Sequence, residues 1–461
     1  MDHGDSQPHV AICPSSGMGH LMPFLRLASM VASCDYKVTF IAMRPTVSAA
    51  ESNQISGFFS THPHIDSLDF HVLPSDTSTA TTDDPFYLHF QAISRSAHLL
   101  GHQLTTLSPP LSAVFSDLLV ANGIGKILSD LWIPNYIVIT TSARFYSLMA
   151  YLPHLITSET ITNFSSDDDG EVEIPGIAPV PRHCIPPPFF NPNHLFTQVV
   201  ASNCRSLPEA KGIILNTFDF FEPEAIGAHQ NGLVLSDLPP VFPIGPLRPF
   251  ELNKVQHLPW LDDQPAQSVV YVCFGSRTAM TRDQIKELGH GLESSGYRFL
   301  WVIKTSKVDR EDNEELRGLL GDGFFERTCN VGVVVKEWVN QEEILAHPAT
   351  GGFINHCGWN SVMEAARHGM PVLAWPQHGD QKVNALVVEK AGLGLLESQW
   401  GWAGERLVKG QEIAEKIKEL MTNNELKNSA RKIKEEARKA WEKDGSSTRT
   451  LMRITDMIKK K

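Results

Sequence analysis

GGFINHCGWNS, residues 351–361, is the stretch that decides the fold. Its first half, through His356, is typical of the end of a buried strand, and Gly358 to Ser361 opens a helix that continues through Glu364. A strand that leads directly into a helix is the unit from which parallel sheets covered by helices are built. Because a helix N-terminus presents free N–H groups and the positive end of the helix dipole, this turn can hold a diphosphate.

Apolar strand patterns and helical patterns alternate in the same way along the rest of the chain. At 461 residues the chain is too long for one ordinary core. The alternation predicts an α/β fold with two Rossmann-like, doubly wound domains that face each other across a cleft. The expected strands are His9 to Cys13, Lys37 to Ala42, Ala113 to Ser116, Tyr136 to Thr140, Ser268 to Phe274, Arg298 to Ile303 and Gly332 to Lys336, and the expected helices include Leu21 to Ser33, Ala143 to Leu152 and Arg282 to Ser295.

Two proline-rich stretches interrupt this alternation. Leu238 to Val255 lacks helical and strand periodicity and is interpreted as the interdomain linker. The expected division is an N-terminal domain at 1–240, a linker at 241–257 and a C-terminal domain at 258–440. Asn163 to Asn193 is predicted to be a long surface loop, and its acidic run Asp167 to Asp169 is interpreted as solvated rather than metal-binding.

Composition excludes several classes of function. The formal net charge of −12 opposes binding to nucleic acid. No window approaches the roughly 20 apolar residues that a membrane-spanning helix needs, and the N-terminus does not have the pattern of a secretory signal. The seven cysteines show neither a disulfide framework nor C-x-x-C metal spacing. We therefore expect a cytoplasmic monomer without membrane insertion.

The block from Trp338 to Gln381 resembles the donor-binding signature of plant secondary-metabolite UDP-glycosyltransferases, W-x-x-Q … H-C-G-W-N-S-x-x-E … P-x-x-x-D-Q, at every defining position. The resemblance implies the GT-B architecture, UDP-glucose as co-substrate, and neither a metal nor a prosthetic group. It also implies that a C-terminal helix at 441–461 packs back on the N-terminal domain.

The side chains of this block suit the parts of a UDP-sugar. Trp338 offers a flat face for uracil, and Gln341 can reach the ribose or the base. Glu364 can accept hydrogen bonds from the ribose hydroxyls, while His356, Asn360 and Ser361 can donate to phosphate. The resemblance assigns Trp359, Asp380 and Gln381 to the sugar hydroxyls, and the remaining expected donor contacts are Gly19, Thr141 (or its neighbour Thr140), Ser276, Val339 and Gly358.

A second candidate site is the glycine-rich turn Ser15 to His20, between the first strand and the first helix. Open α/β sheets place ligands at the carboxyl ends of their strands, so His20 is expected to project into the cleft. Imidazole exchanges protons near neutral pH, which suits a general base acting on a phenol. Asp117, which follows a strand, is the preferred carboxylate partner over Asp130, and its position matches the acidic residue of the family's His-Asp dyad.

Several local sequences resemble the plant flavonoid C-glycosyltransferases: Gly17-Met18-Gly19-His20, Asp84-Pro85-Phe86, His98, Ile139 to Phe145, and Trp375 to Gln381. This resemblance implies inverting transfer of glucose to a ring carbon of a flavonoid-type polyphenol, with O-transfer by the same dyad as the alternative. The acceptor contacts expected from it are Phe86, Arg95, Phe145, His378 and Gly379.

Three other classes of function fit the sequence less well. An NADP-dependent oxidoreductase would explain Gly17-x-Gly19 and Arg44, but Met22 stands where its third glycine belongs. A binding module on the same fold would lack the dyad, whereas both members are present here. A serine hydrolase needs a Gly-x-Ser-x-Gly elbow, which the sequence lacks.

Overall fold

The structure is a computed structural model that describes residues 7–74, 85–161, 170–250, 259–305 and 315–459. The chain forms two compact units, one of Met1–Asn253 with Ala440–Lys461 and the other of Lys254–Lys439. Each unit contains a parallel β-sheet with helices, in a strand order that reverses direction once. The predicted α/β fold with two doubly wound domains is confirmed.

The first unit is built on a seven-stranded parallel sheet with the order β3-β2-β1-β4-β5-β8-β9, beside a two-stranded antiparallel ribbon of β6 and β7. Its strands are β1 (His9–Cys13), β2 (Lys37–Arg44), β3 (Asp66–His71), β4 (Leu111–Asp117), β5 (Asn135–Ile139), β6 (Glu171–Val172), β7 (Val180–Pro181), β8 (Gly212–Leu215) and β9 (Val241–Pro243). Its helices are α1 (Met18–Ala32), α2 (Ala49–Thr61), α3 (Pro85–Thr105), α4 (Ala121–Asp130), α5 (Ala143–Thr157), α6 (Leu195–Arg205) and α7 (Pro223–Gln230).

The second unit repeats this plan with a six-stranded parallel sheet of order β12-β11-β10-β13-β14-β15. Its strands are β10 (Val269–Cys273), β11 (Arg298–Val302), β12 (Gly332–Val335), β13 (Thr350–Asn355), β14 (Val372–Ala374) and β15 (Gly394–Leu396). Its helices are α8 (Pro259–Asp262), α9 (Arg282–Ser295), α10 (Leu316–Leu320), α11 (Asp322–Thr328), α12 (Gln341–Ala346), α13 (Trp359–His368), α14 (Gln381–Lys390), α15 (Gly410–Thr422) and α16 (Asn424–Ala440).

The last helix, α17 (Ser446–Lys459), packs on the first unit. Its apolar side chains Leu451, Ile454 and Ile458 belong to the core of that unit. Ser447 Oγ also donates a hydrogen bond to the carbonyl of Gly245, at 2.7 Å. The helix is therefore held by both apolar burial and a buried hydrogen bond.

Burial of the central strands explains why the sequence predicts them well. All five residues of β1 are buried, as are the first four of β10, because helices cover both faces of a parallel sheet. The carboxyl ends of β1 and β4 adjoin where the strand order reverses, and so do those of β10 and β13. Ligands of open α/β sheets bind at such reversal points.

Two sequence-based expectations are wrong within the described residues. Val241–Pro243 lies inside the stretch expected to lack strands, yet it pairs with β8 as the edge strand β9. The expected surface loop at 163–193 is instead well packed from residue 170 onward, where Val172, Cys184 and Phe189 are buried. Asp167 to Asp169 lie outside the described residues.

None of the helices in the described ranges combines the length and the apolar character that crossing a membrane requires.

Candidate active site

The turn between β1 and α1 positions His20. Gly17 precedes α1 with φ +94°, a conformation that favours glycine, and its carbonyl accepts hydrogen bonds from the N–H groups of His20 and Leu21 at 3.0 and 2.9 Å. A Cβ on Gly17 would come within 2.7 Å of the Phe86 ring. Both the backbone conformation and the approach of Phe86 therefore require glycine, and together they define where the first turn of α1 begins.

His20 and Asp117 meet across the reversal point of the first sheet. His20 Nδ1 lies 2.7 Å from Asp117 Oδ2, although the two residues are 97 positions apart. Asp117 is 1% exposed, and its Oδ1 accepts a hydrogen bond from the N–H of Leu119 at 2.8 Å. The carboxylate is thus fixed on both oxygens, and His20, with its side chain 19% exposed, keeps access to solvent. The rival residue Asp130 ends α4, away from the carboxyl end of β4.

Thr140 contacts His20 directly. Thr140 Oγ1 lies 3.1 Å from His20 Nδ1. Thr141 is buried in the turn before α5, where Ser142 caps the helix by accepting from the N–H of Phe145. The assignment of Thr141 to the sugar stays a prediction.

Two aromatic rings of α3 flank the His20 imidazole. The centroids of Phe86 and Phe90 lie 5.9 and 6.1 Å from that of His20. Of the other expected acceptor residues in this unit, Arg95 is exposed and, nine positions after Phe86, lies on the opposite face of α3. Phe145 is buried and stacks on Phe189 at 6.0 Å. The structure therefore brings Phe86, but not Arg95, to the imidazole.

His356 occupies the reversal point of the second sheet, directly after β13. A Cβ added to either Gly275 or Gly358 would lie 2.5 Å from His356 Nε2, so the ring packs tightly between the turn after β10 and the start of α13. Gly358 caps α13 without a side-chain hydrogen bond, and Cys357 has φ +61°, a left-handed conformation that is costly for a non-glycine residue. The turn thus presents the N-terminus of α13 beside an imidazole.

The environment of His356 favours its neutral form. Burial, and secondarily the nearby His378, lowers the pKa of His356 to about 3. At pH 7 the imidazole is neutral and can donate one N–H to an anion without carrying a charge of its own.

Three donor-block side chains form one hydrogen-bonded group. Gln341 Nε2 donates to Ser361 Oγ at 3.0 Å and to Glu364 Oε2 at 2.6 Å. Tyr271 from β10 donates to Gln341 Oε1 at 3.3 Å. Gln341 at the start of α12 is thereby joined to the face of α13 that carries Ser361 and Glu364.

The two expected aromatic contacts to the donor differ in exposure. Trp338 is 48% exposed and so presents a face on which a base could stack. Trp359 is 2% exposed, so most of its ring surface is used in packing, while Asn360 beside it is half-buried. Val339 is buried next to Trp338.

The segment before α14 is ordered by its own side chains. Gln381 is buried, and its Oε1 accepts from the N–H groups of Gln377 and His378 at 2.8 and 3.0 Å. Asn384 Nδ2 donates to Asp380 Oδ2 at 2.8 Å and to the carbonyl of Cys357 at 3.0 Å. Asn384 therefore ties Asp380 to the turn at Cys357, while Gln381 orders the backbone of Gln377 and His378.

The remaining predicted donor and acceptor positions of this unit adjoin the same turns. His378 is exposed, with Nε2 3.3 Å from Thr278 Oγ1. Gly379, at φ +65°, has open space where a Cβ would be. Ser276 lies in the turn after β10, and its carbonyl accepts from Lys304 Nζ at 2.9 Å. In the first unit Gly19 lies within the first turn of α1, next to His20.

Sequence reasoning missed some residues that the structure places at these turns. Asn384 follows Asp380 by four positions on a helix, a spacing that could have indicated their contact. Phe90 follows Phe86 at the same spacing and could have been found in the same way. Lys304 carries no such local signal, because it reaches Ser276 from the end of a different strand.

Within the described ranges, no group of three or more histidine, cysteine or acidic side chains is arranged to hold a metal ion.

Comparison with known proteins shows what the chain is similar to. Residues 253–434 match the family model described as UDP-glucoronosyl and UDP-glucosyl transferase. The chain is 53% identical to UDP-glycosyltransferase 708C2 of Fagopyrum esculentum over 99% of this chain and 96% of that protein.

Solved structures are similar over nearly the whole chain. The crystal structure of LpCGTa in complex with UDP has a TM-score of 0.87 and 44% identity, covering 98% of this chain and 99% of that one. The structure of Phytolacca americana UGT2 complexed with UDP-2fluoro-glucose and pterostilbene has a TM-score of 0.83 and 28% identity, covering 98% and 99%.

Proposed function

The chain belongs to the UDP-glycosyltransferase family in its plant form, and from that premise we propose that it transfers glucose from UDP-glucose to a ring carbon of a phenolic acceptor. Family membership sets aside the oxidoreductase and hydrolase alternatives. LpCGTa, one of the similar structures, is a plant C-glycosyltransferase with UDP bound, and the Phytolacca enzyme holds a UDP-glucose analogue together with the phenol pterostilbene. These neighbours support both substrates of the proposed reaction.

The observation that carries the mechanism is the 2.7 Å contact between His20 Nδ1 and Asp117 Oδ2. A carboxylate oxygen only accepts, so Nδ1 donates and Nε2 holds the lone pair of the neutral imidazole. Nε2 is then the atom that removes the phenol proton. Asp117 keeps the ring in this tautomer and stabilises the imidazolium that forms.

Charge on the leaving diphosphate develops in the second unit. The uncapped N-terminus of α13 supplies backbone N–H groups and the positive end of the helix dipole. His356 adds an N–H from a neutral ring, so it can donate to the anion without being a desolvated, unpaired charge when UDP is absent. These donors stabilise UDP as it departs, as fixed donors stabilise developing charge in other enzymes.

Transfer to carbon follows from the chemistry of the phenolate. Removing the phenol proton spreads negative charge onto the ortho carbons, and one of these attacks the anomeric carbon of glucose as the bond to UDP breaks. The anomeric centre inverts in this single displacement. The ring carbon then loses its hydrogen as a proton while the phenol oxygen regains one, which restores the aromatic phenol. The products are the C-glucoside, UDP and the one proton that His20 releases.

The test is incubation with UDP-glucose and phloretin, followed by hot acid and mass spectrometry. A C-glucoside survives the acid. A product that reverts to phloretin would replace carbon by oxygen as the site of attack, and the absence of any glucoside with a panel of phenols would overturn the proposal.

Matched variants test the dyad separately. Replacing His20 by alanine removes the base, and Asp117→Asn retains a side chain of the same size but reverses the preferred tautomer. Each should lower kcat by about 10²–10⁴-fold. Asp130→Asn, which changes the rival carboxylate in the same way, should leave kcat unchanged. Equal losses from Asp117→Asn and Asp130→Asn would remove Asp117 from the proposed mechanism.

A further inference from the structure

His89 joins three segments of the first unit around the turn that carries His20. It lies on α3 and is 8% exposed. Its Nδ1 is hydrogen-bonded to Ser16 Oγ, and its Nε2 lies 2.7 Å from the carbonyl of Pro45, in the connection between β2 and α2. One imidazole thus links α3 to two separate connections.

The two partners determine which nitrogen of His89 carries the proton. The Pro45 carbonyl can only accept, so Nε2 must donate. Burial lowers the pKa of His89, against the opposing effect of the Pro45 carbonyl, so the ring is neutral at pH 7 and Nδ1 holds a lone pair. The Ser16 hydroxyl therefore donates to Nδ1. Each atom of this bridge is therefore either a donor or an acceptor, and reversing either hydrogen bond would leave a buried polar group unsatisfied.

The same turn of α3 reaches His20 from a second side. Phe86 and Phe90 flank His89 in sequence, and both rings contact the His20 imidazole. The two rings also contact each other, with centroids 4.4 Å apart and nearly perpendicular. The start of α3 therefore fixes the His20 ring through apolar contacts. Through His89 it also fixes the backbone that leads to His20.

The path from His89 to His20 is short. Ser16 is 2% exposed and directly precedes Gly17. The Gly17 carbonyl accepts from the N–H groups of both His20 and Leu21. A displacement of Ser16 therefore moves the acceptor that defines the first turn of α1, and with it the His20 side chain.

We propose that His89 is a positioning residue that holds the Ser16–Gly17 turn, and thereby His20, in the geometry for proton removal. This inference rests on the proposed function of His20 as base. His89 itself touches neither substrate in the proposed mechanism. Its removal should therefore lower kcat by a larger factor than it raises the KM for UDP-glucose, because Gly19 is the one expected donor contact on this turn and the expected donor side chains of the second unit are untouched.

Three substitutions separate the two hydrogen bonds of His89. His89→Asn places an acceptor oxygen near the position of Nδ1 and keeps the Ser16 bond. His89→Gln places an amide N–H near the position of Nε2 and keeps only the Pro45 bond, and His89→Phe keeps the packing but neither bond. We expect kcat to fall about 10- to 100-fold for the Phe and Gln variants, as for a misplacement of about 1 Å, and to be largely restored in the Asn variant.

Ser16→Ala provides the second half of a double-mutant cycle. Alone it should lower kcat about as much as His89→Phe, and on the His89→Phe background it should cause no further loss. His102→Gln alters an exposed histidine of the same helix and is the matched control, with kcat expected to equal that of the unaltered protein. Melting temperatures of all variants show whether each is folded at the assay temperature.

Several results would overturn the proposal. One is a folded His89→Phe variant with kcat within twofold of the unaltered protein. Another is a rise in the KM for UDP-glucose by the same factor as the fall in kcat. A third is restoration of kcat by Gln instead of Asn at position 89. The ¹⁵N shifts of histidine-labelled protein give a readout that does not need activity, since the proposal requires His89 to be neutral and protonated on Nε2. Absence of transfer by the unaltered protein would refute the proposed function instead, and the ring shifts of His20 in Ser16→Ala would still report whether its position depends on the turn.

Discussion

Gly275→Ala should weaken UDP binding, whereas Gly296→Ala, with the same backbone strain, should not. Gly275 has φ +75°, and Gly296, in the same unit, has φ +76°. Replacing either by alanine places a side chain in the left-handed region, which costs about 1–2 kcal/mol of folding free energy. The two substitutions differ in their surroundings, because a Cβ on Gly296 meets nothing within 4 Å, whereas one on Gly275 lies 2.5 Å from His356 Nε2.

The magnitude follows from that distance. Ordinary contact begins at 3.4 Å, so the His356 ring must retreat by about 0.9 Å in Gly275→Ala. A displacement of this size breaks a hydrogen bond from His356 to the diphosphate, and hydrogen bonds to charged groups contribute about 1.5–3 kcal/mol. At 1.4 kcal/mol per tenfold change, UDP should bind about 10- to 100-fold more weakly.

Isothermal titration with UDP and thermal melting of the two alanine variants provide the comparison. Both variants should lose similar melting temperature, and only Gly275→Ala should lose UDP affinity. If Gly275→Ala binds UDP as tightly as Gly296→Ala does, His356 does not contact the diphosphate and its assignment to the donor site is wrong.

Three further predictions concern polar groups in packed surroundings. Burial raises the pKa of Glu222 from 4.5 to about 7, so the folded protein binds this proton more tightly than the unfolded chain and should lose about 2–3 kcal/mol of stability as pH rises from 4.5 to 7. The melting temperature should depend less on pH in Glu222→Gln, and an equal pH dependence in both proteins would contradict this. The pKa of His356 is lowered to about 3, and a bound anionic diphosphate should raise it. Calorimetric UDP titrations at pH 5 in two buffers of different ionisation enthalpy should therefore show proton uptake, which His356→Gln should abolish. Proton uptake that survives the substitution would assign the proton to another group. Asn384→Ala removes the Nδ2 donor from the buried carbonyl of Cys357, which should cost about 1–3 kcal/mol of folding stability, and it should raise the KM for UDP-glucose. Asn428→Ala, at an exposed position, is the control, and an equal KM in both variants would refute a role for Asn384.

The strands could be predicted from sequence where tertiary structure imposes a simple pattern. β1 and β10 are covered on both faces, so β10 and, after His9, β1 are continuous apolar runs. Their predicted bounds differ from the observed ones by at most one residue. β9 escaped prediction because it is an edge strand, where a proline such as Pro243 is tolerated and only one row of hydrogen bonds is needed. The packed segment from residue 170 escaped because its burial depends on helices far away in sequence.

The site could be predicted in part for a similar reason. Residues at the carboxyl ends of strands, such as His20 and His356, could be located from the strand pattern and the adjacent glycines. Contacts between distant positions could not be derived from spacing. The pairing of His20 with Asp117 was expected from a family resemblance, whereas His89 lies 73 positions from Ser16 and no local pattern connects them.

The two histidines at the reversal points show how the same side chain can serve different chemistry. His20 has a carboxylate at 2.7 Å and access to solvent, so a proton taken by the ring gains a counter-charge and has a route out. His356 is packed between Gly275 and Gly358, and its lowered pKa keeps it neutral, so it can donate a hydrogen bond from its one N–H but does not take up a second proton at pH 7. If the two environments were exchanged, His356 would be suited to act as the base and His20 as the neutral hydrogen-bond donor. A carboxylate introduced beside His356 should raise its pKa and add a negative charge next to the diphosphate site, so it should weaken UDP binding even though the imidazole becomes cationic.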